Sequence, residues 1–298
     1  MEPRIQYATT SDGVSIAFWT IGEGVPLVVP PPALPWSHIE LEWQIPEWRH
    51  WYEHMAESFQ VVRYDNRGAG LSSGDVGGDL LENHVRDLGA VVDRVGLRKF
   101  ALFGIYGNAP ITIDYAVRFP ERASHLMLWC AVTSPSSVGR EQASHDMFER
   151  LRGEDYELFT EMLAHTIFGW SEGAAAHKFA GYMRSALSQE AAMRCWDESQ
   201  KIDVSAMLPH ITQPTLVLHR RDFPLLGIDQ ARRLAATIPD ARLKVLDGSS
   251  LAPYIGDMSV AMDSMTEFAS AERASRPPRI PTRPTRGRTQ APPRRGSG

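Results

Sequence analysis

Short apolar runs alternate with longer amphipathic stretches along most of the chain. Eight segments read as strands: Ile5–Thr9, Val14–Thr20, Leu27–Val29, Val61–Tyr64, Phe100–Phe103, His125–Cys130, Leu216–His219 and Leu243–Leu246. The later ones are continuously apolar, as expected of parallel strands covered on both faces. Between the fourth and fifth, Leu81, Val85, Leu88, Val92 and Val95 recur at spacings of four and three, the stripe of a half-buried helix. Ile228, Ala231, Ala235 and Ile238 repeat that pattern near the end. Strand, helix and strand in alternation predict an α/β fold around a mostly parallel sheet.

Two stretches depart from the alternation. From Thr133 to Pro209 helical patterns dominate and no strand is legible, so the region of about 133–209 is expected to form a helical lid over the C-terminal edge of the sheet. From Arg273 to Gly298 the chain is rich in Pro, Arg, Thr and Gly, with too little apolar surface to offset the cost of ordering. The expected organisation is one domain over 1–272 and a disordered basic tail over 273–298.

The chain has 298 residues and a net charge of −5, with 43% hydrophobic and 22% charged residues, as in a soluble globular protein. The tail holds eight arginines and no acidic residue, so the body before it is eight charges more acidic than the whole. An acidic body gives no reason to expect nucleic-acid binding. No apolar run reaches the ~20 residues of a membrane helix, and the N-terminus lacks the apolar core of a secretory signal. Two cysteines, Cys130 and Cys195, form neither a disulfide framework nor a metal motif. A cytoplasmic protein without membrane partner, metal or cofactor is expected; the sequence leaves the oligomeric state open.

Three stretches carry a family resemblance over residues 5–270. RYDNRGAGLSS (63–73) resembles the turn after the fourth strand of α/β-hydrolases, with Asp65, Arg67, Gly68 and Gly70 shaping the loop. FALFGIYGNAPITIDYAVRFPERASHLMLWC (100–130) resembles their strand, nucleophile elbow, helix and sixth strand, and PTLVLHRRD (214–222) the strand ending at the catalytic acid. The resemblance implies an α/β-hydrolase fold: an eight-stranded, mostly parallel sheet flanked by helices. Within that family, the LEW and LVLHRR stretches resemble hydrolase-like domains beside adenylate cyclase or regulatory domains.

The resemblance also implies where a Ser, an acid and a His should stand, and other residues stand there. In the elbow Gly104-Ile105-Tyr106-Gly107-Asn108, Tyr106 takes the Ser position and Asn108 replaces the second Gly, a residue that tolerates the positive φ of such turns. Tyr106 can donate a hydrogen bond, fill space or attack as a nucleophile; attack needs help, because a phenol titrates near ~10. Leu251 takes the His position and cannot accept a proton. Phe223 takes the acid position, though a one-residue shift would restore Asp222.

In the loop VVPPPALPWSHIELEW (28–43), Pro30, Pro31 and Pro32 have no amide hydrogen, which leaves Ala33 and Gly107 as oxyanion donors. His38 is the remaining titratable candidate near the mouth, and Trp36, Ser37, Trp170 and Trp196 are the expected pocket residues. Trp43, Trp48, Trp51 and Phe168 add to the same aromatic cluster.

The leading expectation is a non-hydrolytic enzyme, a cyclase, isomerase or lyase of metabolite biosynthesis, acting on an apolar small molecule. The alternatives are a ligand-binding or sensor pseudoenzyme and an esterase-type hydrolase with an atypical nucleophile.

Overall fold

The computed structural model describes residues 2–31, 35–75, 77–137 and 142–270. Ala33 and the segment 273–298 lie outside the described residues. All eight expected strands form: β1 (Gln6–Thr9), β2 (Ser15–Ile21), β3 (Val25–Val29), β4 (Phe59–Tyr64), β5 (Phe100–Ile105), β6 (Ala123–Trp129), β7 (Thr215–Arg220) and β8 (Ala241–Leu246). They make one sheet in the order β1-β2-β4-β3-β5-β6-β7-β8. β2 pairs antiparallel with both β1 and β4, and every later pair is parallel. This is the α/β-hydrolase fold.

Parallel strands need crossovers, and helices supply them. After β3 come α1 (Ile39–Gln44) and α2 (Pro46–Ala56); α3 (Leu80–Val95) links β4 to β5, and α4 (Ala109–Arg118) links β5 to β6. The expected lid is four helices between β6 and β7: α5 (Gln142–Glu154), α6 (Tyr156–Phe168), α7 (Gly173–Ala186) and α8 (Gln189–Ser199). Helix α9 (Ile228–Thr237) joins β7 to β8, and α10 (Ser259–Ser270) follows. None is long and apolar enough to cross a membrane.

The period-two alternation of each strand splits the core in two. Leu27, Val29, Phe103, Leu216 and Leu218 face a layer built from α1, α2, α10 and the lid. Val28, Leu102 and Val217 face the other layer, against α3, α4 and α9. The chain therefore leaves the C-terminal ends of β3, β5, β6, β7 and β8 beneath the lid, where the candidate site residues converge.

The loop after β4 is rigid for local reasons. The Asp65 carboxylate accepts from the amides of Ile39 (2.9 Å) and Leu71 (2.8 Å). A Cβ on Gly70 (φ 54°) would collide with that carboxylate, so glycine is required. Arg67 holds Asp87 of α3 through Nη2 (2.6 Å) and Asp12 through Nη1 (2.9 Å). Asp65 and Arg67 thus hold their loop, as expected.

Candidate active site

The elbow is present, and its strain falls on an unexpected residue. β5 runs extended through Ile105 and ends where Tyr106 adopts φ 49°, one of two non-glycine residues with positive φ among the described residues. A non-glycine residue in this region is held there by its surroundings, at a cost of about 1–3 kcal/mol. Asn108, expected to supply the positive φ, sits instead at φ −93°. Its side chain does another job: Oδ1 accepts from the Ile105 amide (2.7 Å), while Nδ2 donates to the carbonyls of Pro30 (3.0 Å) and Pro31 (2.7 Å). The fully buried Asn108 thereby ties the elbow to the loop after β3. The prolines, which cannot donate, serve as acceptors. Gly104 cannot carry a side chain, because a Cβ there would strike Thr112 Oγ1 and lie 3.1 Å from Ala109 Cα.

Above the elbow lies a cavity of about 440 Å³. Tyr106 and Gly107 form part of its floor, with Ile105, Pro110 and Leu251. Helix α2 contributes Trp48, Trp51 and Tyr52, and the lid contributes Phe168, Phe179 and Trp196. Trp36 and Tyr254 complete a wall of nine aromatic rings including Tyr106. Its polar side chains are the tyrosine hydroxyls, the indoles, Ser134, Ser199 and Gln200; no His, Cys, Asp, Glu, Lys or Arg lines it among the described residues.

Trp36, Trp196, Tyr106, Gly107 and Leu251 all line this cavity. Other expectations need correction. Trp170 is 76% exposed and stacks on His165 outside the cavity (4.9 Å between centroids), because α6 ends one residue before it at Gly169. Ser37 is fully buried away from the cavity, and its hydroxyl accepts from the Asn66 amide (2.9 Å). His38 is not a cavity residue either: it is the N-cap of α1, with Nδ1 accepting from the Leu41 amide (3.3 Å), and burial lowers its pKa. Trp43 packs edge-on against Trp19 in the core (5.8 Å).

At the acid position the backbone decides the register. Asp222 is exposed, with its amide bound to the Gly248 carbonyl (3.1 Å), while Phe223 turns inward. The Phe223 ring meets the Tyr106 ring edge-to-face at 5.8 Å, an apolar contact between two positions that in the resembled family are polar. Leu251 is fixed through its backbone: its amide donates to Ile167 of α6 (2.8 Å) and its carbonyl accepts from the Trp129 indole (2.7 Å). Cys130 and Cys195 are buried, and burial pushes both thiols up to about 12, so neither is a thiolate at neutral pH.

The sequence did not reveal a buried node beside the cavity. Arg63 and Glu42, both with 0% exposed side chains, pair at 2.5 Å. Tyr52 of α2 (2.9 Å) and Tyr182 of α7 (2.8 Å) donate their hydroxyls to the same carboxylate, and Tyr182 accepts from the His38 amide (3.0 Å). This anchors α7 of the lid to the core, and Tyr52 presents its ring to the cavity from within the node. A polar residue at a core-facing position of four separate segments was the signal available.

A family model described as the alpha/beta hydrolase fold matches residues 32–254. A protein of Pseudomonas savastanoi pv. phaseolicola (strain 1448A / Race 6), provisionally named carbamate hydrolase RutD, is 25% identical over 75% of this chain and 90% of its own. The 3-oxoadipate enol-lactonase 2 of Acinetobacter baylyi (strain ATCC 33305 / BD413 / ADP1) is 23% identical over 81% and 88%. Among solved structures, the esterase RhEst1 from Rhodococcus sp. ECU1013 superposes with a TM-score of 0.74 at 21% identity, covering 90% of this chain and 98% of that one. These three relatives carry hydrolase names, which overturns the expectation of a cyclase, isomerase or lyase and also that of a pseudoenzyme. With a model match over about three quarters of its length, the chain belongs to the α/β-hydrolase-fold family.

Proposed function

We propose that this protein is an esterase-type hydrolase in which Tyr106 occupies the nucleophile's place. The observation that carries the reading is the backbone of Tyr106: φ 49° at the turn from β5, with the residue on the cavity floor beside Gly107. Strain of this kind presents a side chain to a substrate from the top of the sheet.

With an aryl ester, the phenol loses its proton as its oxygen attacks the acyl carbon, the ester C–O bond breaks, and the departing aryloxide takes up a proton. The product is an aryl ester on Tyr106, with a leaving group about as good as that of an aryl ester substrate. Water then cleaves it, releasing the acid and restoring the phenol. The Gly107 amide is the oxyanion donor, a contribution worth about 2.7–4 kcal/mol when one such donor is removed.

Among the described residues no His, Cys, Asp, Glu or Lys lines the cavity, so its lining supplies no general base of the usual kind. Turnover should then fall about 10²–10⁴-fold below that of a base-assisted enzyme. The test is cleavage of 2-naphthyl acetate by the full chain and by Tyr106→Phe, with mass spectrometry of quenched reactions. A 42-dalton (acetyl, ~42) adduct on the Tyr106 peptide and at least a tenfold loss in Tyr106→Phe are expected. Equal rates for the two proteins would sink the proposal.

A further inference from the structure

The cavity wall says more about what it admits than about how it reacts. Nine aromatic rings surround about 440 Å³, and no described residue of the lining carries a formal charge. The nearest fully buried charges, Glu42 and Arg63, face each other at 2.5 Å, and both tyrosine hydroxyls beside them are committed to Glu42. The pair is therefore not available to an incoming ligand. Arg220 does not line the cavity: its Nη1 and Nη2 donate to the carbonyls of Asp247 (2.6 Å) and Ile255 (2.7 Å), its Nε has no partner, and it lies over the Trp129 ring (5.2 Å). A carboxylate entering the cavity would lose its hydration and meet no cation. Such a burial costs several kcal/mol.

The rings are arranged as facets, not as a stack. Trp48 meets Phe179 at 5.9 Å and 50° and Tyr254 at 5.7 Å and 62°, while Trp36 meets Trp196 at 6.3 Å and 54°. Tilted faces and edges offer a flat guest both kinds of contact that aromatic pairs prefer. The polar groups Ser134, Ser199 and Gln200 gather on other segments, and Gln200 is exposed at the rim.

We infer that the site selects neutral aromatic compounds and excludes anionic ones. The inference rests on the hydrolase reading and adds a consequence to it. Cleaving a neutral ester creates a carboxylate inside an uncharged wall, so the reaction converts a guest the cavity accepts into one it rejects. Product release is built into the composition of the lining.

The test uses the full chain and calorimetric binding of two matched probes, 2-naphthamide and 2-naphthoate. They share a bicyclic ring and differ in charge, and the amide resists hydrolysis. At pH 7 the amide should bind at least about 30-fold more tightly than the carboxylate. It should also bind more tightly than octanamide, which lacks a ring. Gln200→Arg, which puts a guanidinium at the rim, should strengthen naphthoate binding at least about fivefold more than it changes naphthamide binding. Naphthoate binding within threefold of naphthamide would overturn the inference, and so would octanamide binding as tightly as naphthamide. Failure of the hydrolase reading looks different: naphthamide binds as expected while 2-naphthyl acetate is never cleaved. If esters are cleaved but the amide and the carboxylate bind alike, catalysis stands and this selectivity falls.

Discussion

At the scale of single residues, the elbow divides into positions the backbone dictates and positions it leaves open. Gly104 is dictated, because any Cβ there meets Thr112 and the backbone of α4. Gly104→Ala should destabilise the fold by about 1–3 kcal/mol, whereas Gly107→Ala, whose Cβ would meet nothing within 4 Å, should leave stability nearly unchanged. Urea unfolding of the two variants checks the contrast; equal losses would mean that α4 shifts freely away from β5. The first glycine of the motif was legible in the sequence for this reason. Asn108 was only half legible. Its tolerance of positive φ was the available argument, yet the structure uses its amide to join Ile105 to Pro30 and Pro31. A side chain bridging residues 78 positions apart leaves no local trace in sequence.

At the scale of elements, the strand and helix periodicities transferred almost intact, but the buried face of α3 is rotated from the expected stripe. The sequence pointed to Leu81, Val85, Leu88, Val92 and Val95; the buried set is Leu80, His84, Val85, Asp87, Leu88, Val91 and Val92. Two polar residues joined the buried face because Arg67 reaches down from the loop after β4 to hold Asp87. His84 comes with it. Burial, aided by the Arg67 charge, lowers its pKa to about 3, and neither ring nitrogen has a hydrogen-bond partner. The imidazole is neutral in the fold but protonates below 6.5 once the chain unfolds. Stability is therefore fully present above that pH and is lost progressively as pH falls toward about 3. His84→Met should lack this acid-side loss. Between pH 7 and pH 4.5 the parent should lose about 2 kcal/mol more than the variant. Thermal melts of both proteins at the two pH values give the comparison, and parallel losses would place the titrating group elsewhere.

At the scale of the whole molecule, the sheet order brings the ends of β5, β7 and β8 to one edge, where Tyr106, Phe223 and Leu251 stand within reach of a single cavity. That convergence was legible from the order of motifs. The aromatic wall was legible only in part, since Trp36 and Trp196 come from segments far apart, and whether a tryptophan lines a cavity, like Trp48, or packs in the core, like Trp43, depends on helix rotation. The same topology makes a rebuilding experiment informative. Leu251 is held by its own amide and carbonyl, so a new side chain there keeps both anchors. Tyr106→Ser alone should lower esterase activity, because an unassisted serine hydroxyl is a weaker nucleophile than a phenol at the same pH. The triple variant Tyr106→Ser, Phe223→Asp, Leu251→His supplies nucleophile, orienting acid and base from the three strand ends. Its turnover of 2-naphthyl acetate should exceed that of Tyr106→Ser by at least about 100-fold, the scale of general-base assistance. If Tyr106→Ser alone equals the triple variant, a base reaches position 106 from outside the cavity lining described above, and the phenol is not the group that the elbow was kept to present.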